Sequence, residues 1–429
     1  MSIFYIKQDG DDLKSGNSWT NAWKTLDRLT IYHTLVDNDV VVVRPGINGS
    51  PYYPSLTIRW WCQNVIYISE ERALITGVIS TKDNYYIGGM VKVDGTYSTD
   101  VGDGEGDIFG SDIQGIWIPG GPHNCSGFIL DGFDFNNANR SAVWSSMPVS
   151  YSRSLSQDYE MRYCKIDKTG SNGLYIRNAD GFLLERCEFT RCAKEDYLLG
   201  HATYFQCCDN IIMQDNVSHH NTGRNGFYIN GGHAPETGAQ TFCTNPIVRR
   251  NISFSNPSNG MTFVNVIGGR CESNLVYDVL PLFTDADAGI RVCTDKLASP
   301  SDPTDGLILC NNTVAVNGIS MRGIWLQGAL SNPSIVTETK NCIVFNNIAF
   351  SYNAGVAILD SSPGGLNFID TVSNKKLRYS MSLLREYFID PDNGNYKLRL
   401  DSPARNFAVS NYHGANSASD DLDRVIRQV

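Results

Sequence analysis

Seven short segments of this 429-residue chain share one pattern, an opening Gly or Ala followed by a strand of alternating apolar and other side chains. They fall at 173–177, 202–206, 226–230, 260–264, 289–293, 323–327 and 355–359. A second alternating series ends each time on a small polar residue: Cys164, Cys187, Asn216, Asn251, Asn274, Asn312 and Asn347. Successive members of that series lie 23, 29, 35, 23, 38 and 35 residues apart, so the minimum unit is 23 and the excess belongs to loops. A third short apolar piece follows, as in Val217-Ser218 or Ile348-Ala349-Phe350. Three short strands per unit predict an all-β solenoid, a single-stranded right-handed parallel β-helix. Leucine-rich repeats are more constant in length and carry helix-forming Leu patterns, and propeller blades are longer and antiparallel.

The Asn positions have a physical reason. The chain bends sharply at one corner of each coil, Asn tolerates the left-handed conformation, and a buried amide can bond to the Asn of the next coil. Asn216-Val-Ser218 and Asn251-Ile-Ser253 therefore read as ladder residues and not as glycan acceptors.

Composition narrows the functions. Apolar residues make up 41% of the chain, enough for a core, so disorder is excluded. Net charge is −10, from 45 acidic and 35 basic residues, with no cluster of five Lys or Arg. Nucleic acid and anionic membrane are poor partners for such a surface. No apolar run approaches the roughly 18–20 residues that span a bilayer. The N-terminus meets Lys7 before a signal-like segment develops, so classical secretion is not expected. The 12 cysteines include no Cys-x-x-Cys, which argues against structural zinc and for buried, reduced thiols made in a reducing cytoplasm.

The ends of the chain add a likeness. Residues 18–29 (Ser-Trp-Thr-Asn-Ala-Trp-Lys-Thr-Leu-Asp-Arg-Leu), then 39–46 (Asp-Val-Val-Val-Val-Arg-Pro-Gly), and the run from Phe388 through Leu398 to Ala404 complete a pattern that covers the chain. With its repeat, the chain resembles the pectate-lyase-like superfamily of right-handed β-helix proteins. That resemblance implies an entry strand and amphipathic capping helix within 1–30, the helix proper over 31–370, and a closing segment over 371–429. It also implies that the outward face of the first strand series serves as the cleft.

Alternation makes the outward rows legible. If Leu174 and Ile176 point inward, Tyr175 and Arg177 point outward, and each coil repeats the pair about 4.8 Å further on. One row reads Trp117, Trp144, Tyr175, Tyr204, Tyr228, Thr262, Arg291 and Trp325; the other reads Arg177, Gln206, Asn230, Val264, Cys293 and Gln327. Aromatic faces beside Arg, Gln and Asn suit an extended polysaccharide. Such a row equally stacks on itself or buries against another subunit.

Ionisable residues gather in the turns bordering this face: Lys194, Glu195, Asp196 and His201; His219, His220 and Arg224; Asp278, Asp285 and Asp287. Two chemistries fit. Hydrolysis needs carboxylates across the cleft, such as Glu195 or Asp196 with Asp285 or Asp287. Elimination needs a base such as Lys194, His219 or His220, with Arg291 or Ca²⁺ on an Asp cluster neutralising the sugar carboxylate. The strict signature of neither is present, and no cofactor is called for otherwise. His219 and His220 are not expected to share a metal, because neighbours in an extended piece point opposite ways. The loop around His233 and Glu236 and the segment from Asp295 to Asp305 read as cleft walls or equally as packing against a partner, and the Asp-Gly stretch 100–107 reads as a flexible acidic loop and not a calcium loop.

Two classes of function follow. One is a glycan-gripping depolymerase, a lyase or glycoside hydrolase of the kind found in phage tailspikes and bacterial polysaccharide lyases. The other is a non-catalytic virion protein, a spike, fibre or capsid decoration, that uses the same face to build a homotrimer or dock on a shell. Both place the chain in a virion or outside the cell without a classical signal.

Overall fold

The computed structural model describes residues 2–26, 28 and 39–49, short strands between 58 and 119, and most of 129–361. Gaps in that last stretch fall at 139–140, 147–156, 178, 195–199, 232–241, 283–286, 295–303, 317–320, 333–334, 338 and 352–355. Beyond it, 368–373, 388–390, 395–399, 411–412 and 415–416 are described. Two compact units emerge, one of residues 1–208 with 221–223, the other of 209–220 with 224–429.

Both units are parallel coils of three sheets. In the first unit, Val143–Ser146, Leu174–Arg177 and His201–Gln206 pair in one sheet. Ile129–Asp131, Gln157–Arg162 and Asp180–Glu185 form a second. Asp134–Ala138, Lys165–Thr169 and Glu188–Thr190 form a third. In the second unit the first sheet holds Asn225–Asn230, Asn259–Val264, Ala288–Cys293, Arg322–Gln327 and Val356–Asp360. Its second sheet holds Ile212–Gln214, Ile247–Arg249, Arg270–Glu272 and Ile308–Cys310. Its third holds Val217–His219, Ile252–Phe254, Leu275–Val279 and Thr313–Val316. The long strand Ile343–Ser351 turns the corner and continues both.

Inward positions fill the coils with Ile176, Phe189 and Phe205 in the first unit and Phe227, Ile229, Phe263 and Ile290 in the second, all buried. At Gly173, Gly226, Gly260 and Gly289 the first-sheet strand opens on Gly for want of room. A Cβ on Gly289 would lie 2.3 Å from Val314 Cγ1 and 2.8 Å from the Gly323 carbonyl oxygen.

Between the second and third sheets of the second unit, the corner is an amide ladder. Asn216 Nδ2 donates to Asn251 Oδ1 at 2.9 Å, Asn251 to Asn274 at 3.1 Å, Asn274 to Asn312 at 2.9 Å and Asn312 to Asn347 at 2.8 Å. Each Oδ1 also accepts the backbone N–H of the Asn one coil before, at 2.9–3.0 Å. The second Nδ2 hydrogen of Asn251 goes back to the Met213 carbonyl at 2.9 Å. In the first unit Cys164 and Cys187 hold the corner instead, each thiol directed at backbone carbonyls.

The left-handed residue is not the Asn but the one before it. Asp215, Arg250, Ser273, Asn311 and Asn346 have φ between 52° and 59°. Amide bonding, and not conformational tolerance, selects Asn at the ladder position. Arg250 and Asp215 turn their left-handed positions to use, pairing Nε with Oδ1 at 2.8 Å while almost fully buried.

Of the segment expected to form an amphipathic helix, residues 18–26 do not form an α-helix, Arg28 is helical, and residue 27 lies outside the described set. Trp19–Asn21 is a single 3-10 turn, capped by the Ser18 side chain, and Ala22 returns to extended backbone. Trp23 then pairs with Ile6, seals its ring against Phe4 at 4.9 Å, and donates its indole N–H to the Lys14 carbonyl. Residues 29–38 lie outside the described set. At the other end Phe388–Asp390 and Asn395–Leu398 form an antiparallel pair, and Ala415 packs on Cys310 and Phe345.

The ten described cysteines are buried and none of them is in a disulfide. Burial pushes the thiols of Cys192 and Cys342 up from the usual 9.0 to about 12. A thiol held neutral in the folded state stabilises it below the unfolded pKa, and that contribution is lost as pH rises from about 9 towards about 12. Each therefore forfeits about 1.4 kcal/mol by pH 10. Thermal melting across pH 8–11 checks this, and Cys192→Ala flattens the alkaline slope. Asn251→Ala strands the Asn216 N–H and Nδ2 groups and costs about 3 kcal/mol or more, read as a fall in denaturation midpoint.

Candidate functional site

The register builds the outward rows directly. In the first unit Trp117 pairs with Trp144, Trp144 with Tyr175, and Tyr175 with Tyr204; Arg177 pairs with Gln206. In the second unit Tyr228 pairs with Thr262, Thr262 with Arg291, and Arg291 with Trp325. Asn230, Val264, Cys293 and Gln327 form the neighbouring row.

Within the first unit the rows lock together. The Tyr175 and Tyr204 rings lie 5.1 Å apart with a 55° tilt, and His201 meets Tyr204 edge-on at 5.2 Å. Tyr175 donates its hydroxyl to Gln206 Oε1 at 2.5 Å. Burial pushes the Tyr175 phenol well above its usual range, with Arg177 pulling partly against it. Arg177 is only 9% exposed, so its charge acts on the Tyr175 phenol from a largely buried position. Tyr204 and Gln206 keep part of their surface open.

In the second unit the face changes character. Trp325 is 5% exposed because two guanidiniums cover it: Arg322 lies 4.1 Å from the ring centroid and Arg291 lies 5.2 Å from it. Its indole N–H donates to Ser361 Oγ at 2.9 Å. Arg291 in turn donates Nε–H to Gln327 Oε1 at 2.9 Å and stays half-buried. The indole thus acts as a bed that fixes two cations at the surface, a stronger contact when desolvated. Beside them lies a buried polar set: Asn259 Nδ2 and Thr262 Oγ1 both donate to Asn225 Oδ1, at 2.8 and 2.9 Å. Asn259 Oδ1 accepts the Ala288 N–H at 2.9 Å. Asn230 is fully buried.

Several of the ionisable residues expected to border this face are described. Asp287, 1% exposed, lies immediately before the strand that carries Arg291, and its Oδ2 accepts the Leu282 N–H at 2.7 Å. His219 stands on the third sheet, stacked on Phe254 at 4.9 Å, and not on the sheet of Arg291. Asp278 is on that third sheet too, accepting from Ser255 Oγ. Glu195, Asp196, Asp285, the His233 and Glu236 loop, residues 295–303 and the stretch 100–107 lie outside the described residues, as do the side chains of Trp117 and Trp144. Among the described residues no three His, Cys, Asp or Glu side chains cluster to hold a metal ion.

Sequence reasoning missed Arg322 and the Asn225–Asn259 pair. Both occupy the residue just before the strand-opening Gly, a column that holds Asn225, Asn259, Ala288 and Arg322 by register. A polar residue recurring before Gly was the available signal.

No model of a protein family matches the chain, and no curated protein does. Solved structures with a similar course of chain include the complex of XylC with xylose, at 9% identity and TM-score 0.47, covering 86% of each chain. The A-module of a mannuronan C-5 epimerase from Azotobacter vinelandii shares 11% identity at TM-score 0.46, covering 78% of this chain and 86% of its own. A rhamnogalacturonan lyase shares 12% at TM-score 0.41, covering 91% of both.

Because Trp325 is covered by its own arginines, Trp325→Ala opens a cavity and lowers stability by about 3–5 kcal/mol. Tyr228→Ala, at a partly exposed position, costs far less. Melting temperatures of the two variants check the contrast.

Proposed function

We propose that this chain binds an extended, carboxylate-bearing polysaccharide along the outward rows of its first-sheet strands. One observation carries the reading: Arg291 and Arg322 are fixed over Trp325, and Arg291 and Trp325 share the outward register row of partly exposed Tyr228, with Gln327 beside them. A pre-positioned guanidinium meets carboxylates and hydroxyls at little entropic cost. Partly exposed tyrosines give flat surface to sugar rings, as Tyr204 does in the first unit. The pair of arginines favours an acidic glycan even though the chain as a whole is acidic.

Depolymerisation is the finer part of the proposal. Asp287 lies immediately before the strand that bears Arg291, four residues from the cation that would meet the sugar. Glu195, Asp196 and Asp285 are the further candidates for acid or base. Phage tailspikes are one setting in which such a protein would work.

The test is affinity electrophoresis in gels containing acidic or neutral polysaccharides, with ultraviolet absorbance of unsaturated products and new reducing ends followed in parallel. Acidic glycans should retard the protein. Arg291→Ala should weaken retention about tenfold or more, and Tyr204→Ala and Tyr228→Ala should weaken it several-fold. Retention by none of the glycans, with a stable homotrimer lost on Tyr228→Ala, would favour the virion-structural reading instead. Retention without products would leave binding and remove depolymerisation.

A further inference from the structure

The adjacent pair His219-His220 takes no part in the face just described. Extended neighbours point their side chains apart, but His220 is not extended. It occupies a left-handed corner position, with φ 51°. The same corner recurs one and two coils on at Ser255 and Asp278, with φ 49° at both. The bend swings the His220 ring back beside that of His219. Their Nδ1 atoms lie 2.8 Å apart, with the ring planes at 90°.

The pair rests on an aromatic floor. His219 stacks on Phe254 at 4.9 Å and 6°, Phe254 stacks on Tyr277 at 4.9 Å and 4°, and His220 sets its edge against Phe254 at 5.5 Å. The register of the third sheet fixes that column: His219 pairs with Phe254, and Phe254 with Tyr277. Two imidazole nitrogens are therefore held face to face at the surface, His219 half-buried and His220 exposed.

We infer that His219 and His220 form a bidentate site for a divalent transition-metal ion that accepts ligands at right angles, Cu²⁺ or Ni²⁺. The separation carries the choice. With metal–nitrogen bonds of about 2.0–2.1 Å, two ligands at a right angle stand about 2.9 Å apart, and two at a tetrahedral angle about 3.4 Å. The observed 2.8 Å, held in the metal-free pair by an N–H···N hydrogen bond, lies closer to the right-angle span than to the tetrahedral one, so the rings need move least for a right-angle metal. Square-planar or tetragonal nitrogen sites are those of Cu²⁺ and Ni²⁺.

In the metal-free pair one Nδ1 carries the proton and the other accepts it. On binding, that proton leaves Nδ1 and the ring takes its Nε2–H form, so both lone pairs reach the metal and the neutral pair releases no net proton. Asp278 is two coil steps from His220, about 9–10 Å at sheet spacing, too far to ligate. Among the described residues no third His, Cys, Asp or Glu joins the pair.

Isothermal titration of the tag-free, full-length chain with NiCl₂, beside electron paramagnetic resonance with CuCl₂, tests the site. Two variants keep the fold. Asn at 220 tolerates the left-handed backbone, so His220→Asn preserves the corner, and His219→Phe preserves the stack. We expect one Ni²⁺ equivalent in the native chain and an affinity at least about tenfold lower in either variant. The Cu²⁺ spectrum should show splitting from two nitrogens in the native chain and lose one in each variant. An isotherm that neither substitution changes, an absence of Ni²⁺ binding, or a single-nitrogen Cu²⁺ spectrum in the native chain would overturn the inference.

Discussion

Everything in the second unit hangs on the amide-to-amide bond between successive coils. A parallel coil must turn three corners in about two dozen residues, and each corner leaves backbone N–H and C=O groups that no strand partner reaches. Buried groups of that kind cost about 1–3 kcal/mol each when left alone. The side chain of Asn has the two acceptor lone pairs and two donors needed to satisfy them. Oδ1 takes the backbone N–H and the amide hydrogen of one neighbour, while Nδ2 supplies the other neighbour and a carbonyl behind it. Because every rung is both donor and acceptor, the ladder fixes the register of one coil on the next. That register then decides which side chains share a row on the outer face.

The first unit solves the same problem with sulfur. Cys164 and Cys187 are weaker donors than an amide, but they fill the corner with apolar volume, and the backbone there pairs by the ordinary ladder. The thiols stay buried, which suits a chain whose described cysteines form packing and not cross-links. Such an interior is rigid on one side and permissive on the other, so outward positions are free to vary. Aromatic contacts hold the first unit's face, and a Trp between two Arg side chains holds the second's.

Much of this was legible in the residues. The 23-residue minimum period, the inward-outward alternation and the Asn series led directly to the coil, its ladder and the membership of both outward rows. The repeat could not reveal what depends on a single backbone angle or on a long side chain. It put the left-handed residue at the Asn and not one place earlier, since composition at that position, Asp, Arg, Ser and Asn, has no common signature. For the same reason it sent His219 and His220 apart. Trp325 read as an exposed platform because the reach of Arg322 across three residues is invisible to alternation. The resemblance implied a helix for the N-terminal segment, but over 18–26 the Ser18 cap serves one 3-10 turn before Trp23 is drawn into the edge of the coil.

The central claim is that the first-sheet face is where a glycan meets this chain. Hydrogen-exchange mass spectrometry, with and without an acidic polysaccharide that retards the protein, locates the contact without perturbing the sequence. Slower exchange is expected in peptides covering 201–206, 225–230, 288–293 and 322–327, with third-sheet peptides at 217–219 and 252–254 unchanged. Protection confined to the third sheet, or equal on all three, would contradict the account.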